Sequence, residues 1–368
     1  MTASSPALLH ADFFTPDGVS QGISHRAAQI AELLDRVGAS VVRVEVNPAA
    51  VSKPAGLAWG LRHLWVRGYR APHRLPLLGR YGRQLAALVR FFRAQPPGSC
   101  VVWCVSGGWL VPHAAAQCGL PVLAVPMMTE ALVEFAHDTM GGGSRWDKLR
   151  FEVRRLAMAH GVICASREEQ WFFNGLGLDA DYLPIYPAAT LTDHLLELRR
   201  RRDAATREHV LLLSSHTNPP NRAGVLRLAH MLAATPGLRP PVVLAGLDTE
   251  RFRGQVPDGI LTIEGTVSQT RLDELLVGAK AMLIHQRFGT GALTRIPEAL
   301  VAGVPVVCNG VAARSAHHYD GVHTFETADE LAHLLACDLT TPPVPPRPEA
   351  AEKRFIDTVR RVVGLPPS

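Results

Sequence analysis

The stretch from His285 to Val307, HQRFGTGALTRIPEALVAGVPVV, concentrates residue types that can hold an anion. An apolar run ends at His285, Gly289 and Gly291 follow in G-x-G spacing, and a short helix is expected next. Thr294 is its expected N-cap. Pro297 fits only in a first helical turn, where its missing N–H costs nothing, and Gly303 is the expected stop. Backbone N–H groups of a Gly-rich loop entering a helix form a site suited to a diphosphate. Arg295 places a fixed positive charge in a first turn that usually takes acidic residues, which suggests an anion for it to meet. Glu298, three residues later on the same face, is placed to accept hydrogen bonds from a sugar hydroxyl. The plain alternative is an ordinary strand–helix turn with an exposed Arg and Glu.

Elements that would position this stretch are legible on both sides of it. HVLLLSS, PPVVLAG, ILTIEG, KAMLIH and VPVVCNG are apolar runs without alternation, as parallel strands covered on both faces require. Helices are expected at Asn221–Leu232 and Ser268–Val277, with a last strand–helix pair at Val322–Phe325 and Ala328–Leu335. His216, just after HVLLLSS, is placed either to touch the ligand or to cap; Arg222 and Arg287 are further donor-site candidates. The first half shows the same alternation: a strand Pro6–Ala11, a helix stopped by Gly38, then SVVRVEV, SCVVWCV, LPVLAVP, a helix Trp146–Ala159 and GVICAS. Between the halves, 187–207 loosens into a charged joining segment. TPPVPPRP is an extended strap, and Ala350–Val363 a terminal helix.

The chain has 368 residues, which suits two domains rather than one core. Apolar residues are 47% and charged residues 19%, so there is no signature of disorder. The six cysteines are scattered with no CxxC pair, as small buried hydrophobes of a reducing compartment would be. The first residues lack a signal-peptide pattern, and Pro and Gly interrupt the uncharged stretch between Arg93 and Glu130 too often for a membrane span. These features predict a cytoplasmic protein. The net charge is +5, yet nine basic and no acidic residues lie between Glu45 and Glu130. Tyr81, Leu85, Leu88, Val89 and Phe92 would share one helical face, with Arg80, Arg83, Arg90 and Arg93 on the other. Residues 59–93 are therefore either an anionic-membrane or phosphate-bearing-acceptor surface at the inner face of the membrane, or a packed helix with solvated arginines. No motif accompanies the charge, so nucleic acid is not an expected partner. The histidines His317, His318 and His323 lack metal spacing, and DGVSQG lacks the GxGxxG of a dinucleotide site.

GTGALTRIPEALVAGVPVV resembles the nucleotide-sugar loop of GT-B glycosyltransferases, especially the retaining enzymes of glycosyltransferase family four. Their pattern is a Gly-rich turn, a basic residue, Glu-Ala and then Ala-x-Gly-x-Pro-Val-Val. HVLLLSSHTNPPN, PPVVLAG, ILTIEGTVSQTRLDELLVGAKAMLIH and GVHTFETADELAHLL are similar to the rest of that family's donor domain, in order. DGVSQGISHRAAQIAELLDRVGA is similar to its N-terminal glycine loop and helix, and LRFEVRRLAMAHGVICAS to its last acceptor-domain strand.

The resemblance implies an α/β GT-B fold: two Rossmann-like domains with a cleft between them and a C-terminal helix returning toward the first. Residues 1–190 would bind the acceptor, 208–340 the nucleotide sugar, and 341–368 form the strap and helix. Glu298 matches the Glu that binds the nucleotide ribose, and Arg295 the basic residue at the diphosphate, where it would also serve catalysis. Gly289, Thr290 and Gly291 would line the phosphates and sugar, with Gly18 and Gly22 approaching from the first domain. The first Glu of the family's E-x7-E pair falls at Thr290, which carries no carboxylate. Where a His often follows the strand VLAVP, this chain has Pro126 and Met127; Glu130, His137 and Asp138 are the nearest catalytic candidates. The expected activity is sugar transfer from a nucleoside diphosphate sugar to a carbohydrate, lipid-linked or small-molecule acceptor, with retention and without a metal or other cofactor. An inverting transferase and a non-catalytic GT-B partner protein are the alternatives.

Overall fold

The computed structural model describes residues 7–12, 21–65, 75–104, 108–133, 145–234 and 240–366. The chain divides into two units: Met1–Pro16, Ala27–Pro184 and Pro348–Ser368 form the first, Asp17–Arg26 and Ile185–Arg347 the second.

In the first unit the chain runs β1 (Ala7–Asp12), α1 (Gln21–Asp35, whose residues to Arg26 group with the second unit), β2 (Ser40–Arg43), α2 (Lys53–Gly60), α3 (Leu75–Arg93), β3 (Cys100–Cys104), α4 (Val111–Gln117), β4 (Val122–Val125), α5 (Arg145–Leu156), β5 (Gly161–Cys164), α6 (Arg167–Gly175) and β6 (Ala180–Tyr182). The strands pair in parallel in the order β2-β1-β3-β4-β5-β6. Leu8, Leu9, Val101, Val102, Leu123 and Ala124 have no exposed surface, because both faces of this sheet are covered.

Helix α3 buries Leu85, Leu88, Val89 and Phe92 in the core, and Tyr81 meets the ring of Trp109 edge-on at 4.7 Å. Its Arg80, Arg90 and Arg93 face outward. The apolar face is thus occupied by the unit's own core, and only charge is left at the surface. Glycines let α2 lie directly on it: a Cβ on Gly82 would overlap the Gly56 carbonyl oxygen. Arg67, Tyr69, Arg70 and Arg74 lie outside the described residues.

The second unit runs α7 (Ala189–Asp203), β7 (His209–Leu213), α8 (Pro219–Ala234), β8 (Val242–Ala245), β9 (Thr262–Gly265), α9 (Gln269–Val277), β10 (Ala279–Ile284), α10 (Arg295–Val301), β11 (Val306–Asn309), α11 (Gly310–Ala313), β12 (Val322–Phe325) and α12 (Ala328–Ala336). Its strands are also all parallel, in the order β12-β11-β10-β7-β8-β9. The chain leaves β7 toward one edge and β10 toward the other, so these central neighbours form a topological switch point. In doubly wound sheets, ligands bind outside the carboxyl ends of the strands at this point.

Two sequence expectations are corrected. The segment 187–207 is not a loose joint: it holds α7, whose Leu195 and Leu198 are buried while Arg202 donates to the carbonyls of Leu276 and Val277. Its arginine run hid the i, i+3 and i+4 leucine spacing. GVICAS is not the last strand of its sheet, since β6 adds beyond it; three residues are too few to show an apolar run. The chain passes from the first unit to the second at Pro184/Ile185.

The terminal helix α13 (Glu349–Val362) belongs to the first unit. Phe355, Ile356 and Val359 are buried, and the fully buried Glu352 accepts a 2.9 Å bond from Arg36 Nη1. Arg360 Nη1 donates to the Val37 carbonyl at 2.8 Å. Among the described residues, no helix is long and apolar enough to cross a membrane. Phe355 is 1% exposed, so Phe355→Ala should lower the stability of the first unit by about 3–5 kcal/mol in urea unfolding. An unchanged midpoint would mean that α13 is not part of that core.

Candidate active site at the switch point

Local sequence explains why the loop after β10 is held open. Gly289 and Gly291 have φ of +153° and +70°, backbone regions that side chains strongly disfavour. A Cβ on Gly289 would also sit 3.0 Å from Gln286 Oε1 and 3.1 Å from Arg314 Nη2. At the other end of α10, Gly303 at φ +76° donates to the Leu300 carbonyl at 3.0 Å and Val304 to that of Ala299 at 2.8 Å. This paired closure satisfies carbonyls that the helix end would leave orphaned. Thr294 does occupy the N-cap position, but with helical φ −58° and ψ −36° and no side-chain cap bond. The loop already turns helically there, with the Ile296 N–H bonded to the Leu293 carbonyl. With seven residues, α10 offers a weak dipole, and the charge at this site comes from side chains.

Those side chains form one connected network at the carboxyl ends of β7 and β10. Arg295 donates to the carbonyl of Leu213, the last residue of β7, and at 2.8 Å to Asn221 Oδ1 at the start of α8. Asn221 Oδ1 also accepts from Gln286 Nε2 at 3.2 Å. Gln286 Oε1 accepts in turn from Arg314 Nη1 at 2.8 Å. Arg314 then holds the glycine loop itself, donating from Nε to the Gly291 carbonyl at 2.6 Å and from Nη2 to that of Thr290 at 2.9 Å. Asn309, ending β11, fixes Gln286 by accepting from its N–H at 2.9 Å and donating to its carbonyl at 2.8 Å. Burial lowers Arg295 to about 10, with the Arg314 charge acting in the same direction and Glu298 against it. The guanidinium therefore stays charged at neutral pH. Two cations held together here, with polar groups satisfied around them, make an electrostatic seat for a polyanion.

Glu298 lies on the next part of α10, and its Oε1 accepts a 2.7 Å bond from Nδ1 of His25. His25 is on α1, in the 17–26 segment that groups with the second unit. Gly22 lies in the same segment, within helix α1 rather than in a loop. Gly18 lies outside the described residues.

The remaining candidates separate. His216 packs edge-on against Phe252 at 4.8 Å, with Nε2 3.3 Å from the Gln255 amide nitrogen. Arg222 and Arg287 are exposed. In the first unit, Glu130 sits in a single helical turn, Glu130–Leu132, clamped from below by buried carboxylates. Glu152 accepts the N–H groups of Glu130 at 3.0 Å and Ala131 at 2.8 Å, and Glu169 accepts the Thr129 hydroxyl at 2.8 Å. Burial pushes the Glu152 carboxyl up to about 8 against those N–H bonds, with the charges of Glu130 and Glu169 adding to the rise. His137 and Asp138 lie outside the described residues. Among the described residues, no group of three or more His, Cys, Asp or Glu side chains is placed to hold a metal ion.

His25, Asn221, Gln286, Asn309 and Arg314 were not singled out from the sequence. Asn221 and Gln286 are ordinary loop-edge polar residues until the strand order places them side by side. Arg314 is 23 residues beyond the Gly291 carbonyl it holds, with a strand and two short helices between.

No protein-family profile matches this chain, and no curated protein matches it in sequence. Solved structures do match in fold. HepE of Anabaena in complex with UDP-glucose is similar with a TM-score of 0.62 at 16% identity, over 97% of this chain and 98% of that one. Sucrose-phosphate synthase from Thermosynechococcus elongatus gives 0.59 at 15% identity, over 98% and 94%. The alpha,alpha-trehalose 6-phosphate synthase of Burkholderia multivorans gives 0.58 at 13%, over 98% and 95%. The fold is that of the GT-B glycosyltransferases, as the resemblance implied.

Gly289→Ala forces a Cβ into a positive-φ position against Gln286 and Arg314, and should destabilise the second unit by about 1–3 kcal/mol in denaturant titration. Equal stability of the two proteins would show that the loop is not held as described.

Proposed function

We propose that the protein is a glycosyltransferase that takes a hexosyl group from a nucleoside diphosphate sugar. The observation that carries this reading is the Arg295–Asn221–Gln286–Arg314 network holding the glycine loop at the switch point of the second unit's sheet. Breaking the glycosidic bond to the donor leaves a diphosphate with growing negative charge. Two guanidinium groups fixed before the reaction favour that charge without reorganising. Glu298, on the helix that follows, suits the ribose hydroxyls. HepE binds UDP-glucose, which supports a donor of this class.

The finer parts of the proposal rest on the resemblance of Gly289–Val307 to the retaining family-four enzymes. Transfer proceeds with retention, and the two arginines do the work a metal would otherwise do at the leaving group. The acceptor is a carbohydrate or lipid-linked molecule received by the first unit. There, the clamped Glu130 turn marks the end of β4, and exposed Arg80, Arg90 and Arg93 favour an anionic acceptor or membrane surface.

The test is a thermal-shift and calorimetric panel of UDP, GDP, ADP, dTDP and CDP, each with and without EDTA. One diphosphate should stabilise the protein selectively and equally in EDTA. Arg295→Ala and Glu298→Ala should each weaken its binding by about 1–3 kcal/mol. No shift with any diphosphate at millimolar concentration would favour a non-catalytic GT-B partner protein. With a turned-over donor, the anomeric configuration of the product separates retention from inversion.

A further inference from the structure

We propose that His25 is a positioning residue for the donor nucleotide: its imidazole orients the Glu298 carboxylate toward the ribose and offsets that carboxylate's charge beside the diphosphate. The proposal rests on the donor-site reading above and adds to it a residue 273 positions away in sequence.

A glutamate side chain has three rotatable bonds, and a carboxylate receiving a sugar diol must present one defined oxygen edge. The 2.7 Å bond from His25 Nδ1 engages Oε1 and leaves Oε2 available to a ligand. The side chains are 32% and 17% exposed, so the pair is shielded enough to be ordered and open enough to be reached. Electrostatics gives a second reason. Glu298 shares a helical turn with Arg295, and a bare carboxylate there would subtract from the field that Arg295 and Arg314 offer a diphosphate. An imidazolium partner restores that field.

The charge state of His25 follows from its surroundings. Burial alone would lower it, but the hydrogen bond and charge of Glu298 outweigh burial and raise it above the ordinary 6.5. The charged groups nearby are Glu298 and Arg295 on α10, Arg314 facing Arg295, and buried Arg26 next to it on α1. The sign follows from the raised value. The stabilising pair is fully present below the unfolded-state pKa of about 6.5 and is lost as pH rises through the higher folded value.

The experiment measures, by calorimetry from about pH 6 to about pH 9, binding of the diphosphate from the panel that wild type binds best. His25→Ala, His25→Asn and Glu298→Ala are compared with wild type at each pH, so the nucleotide's own titration cancels in the ratio. His25→Ala should weaken binding roughly 10- to 100-fold at about pH 6, the size of one charge-assisted hydrogen bond. Asn places a neutral donor where Nδ1 lies, so His25→Asn should match wild type at the alkaline end and fall behind at the acid end. A purely structural histidine would show no such pH-dependent rescue. If Glu298→Ala weakens binding while both His25 variants bind as wild type at every pH, the proposal is overturned and the donor site stands. If wild type binds no diphosphate, or binds one indifferently to Glu298→Ala, the donor-site reading itself fails and takes this proposal with it.

Discussion

Arg295 lies where β7 and β10 part company, and its guanidinium joins them. It donates to the last carbonyl of β7 and to Asn221 on the helix leaving that strand, while its own helix begins in the loop that follows β10. At the carboxyl edge of a parallel sheet, carbonyl groups and loop amides lose their ladder partners and must find others. A planar group with five N–H donors meets that requirement with a single side chain. The same choice puts a permanent cation at the point where doubly wound sheets take their ligands. The structural need and the chemical opportunity thus have one source.

The rest of the site follows from keeping that cation in place. Gln286 and Asn221 carry its hydrogen bonding to Arg314, and Arg314 fixes the carbonyls of Thr290 and Gly291. Turning those carbonyls toward Arg314 needs backbone angles that glycine adopts readily, which explains the G-x-G spacing. Close packing carries the constraint outward: a side chain on Gly224 of α8 would overlap the His285 carbonyl at the exit of β10. Arg199 on α7 donates at 3.1 Å to the Leu300 carbonyl at the far end of α10, so both ends of that short helix are held by arginines.

What was legible in the sequence was what is local. Gly289, Gly291, Arg295, Glu298 and Gly303 lie within fifteen residues, and their turn, first-turn charge and helix stop were read from spacing. The unalternated Val and Leu runs announced parallel, doubly covered strands. What escaped was set by topology. His25 meets Glu298 only after the chain has built nearly all of both sheets, and Asn221 meets Gln286 only because β7 and β10 are neighbours. Helix α7 was missed for another reason. Four consecutive arginines and flanking acids masked Leu195 and Leu198, although arginine stems pack readily over apolar surface.

The most direct measurement of the central claim is amide hydrogen exchange with and without a saturating nucleoside diphosphate. If the switch-point network seats the diphosphate, exchange should slow at Gln286–Arg295 and at Leu213–Asn221. Protection confined to other segments, with those two unchanged while the nucleotide is bound, would contradict the account.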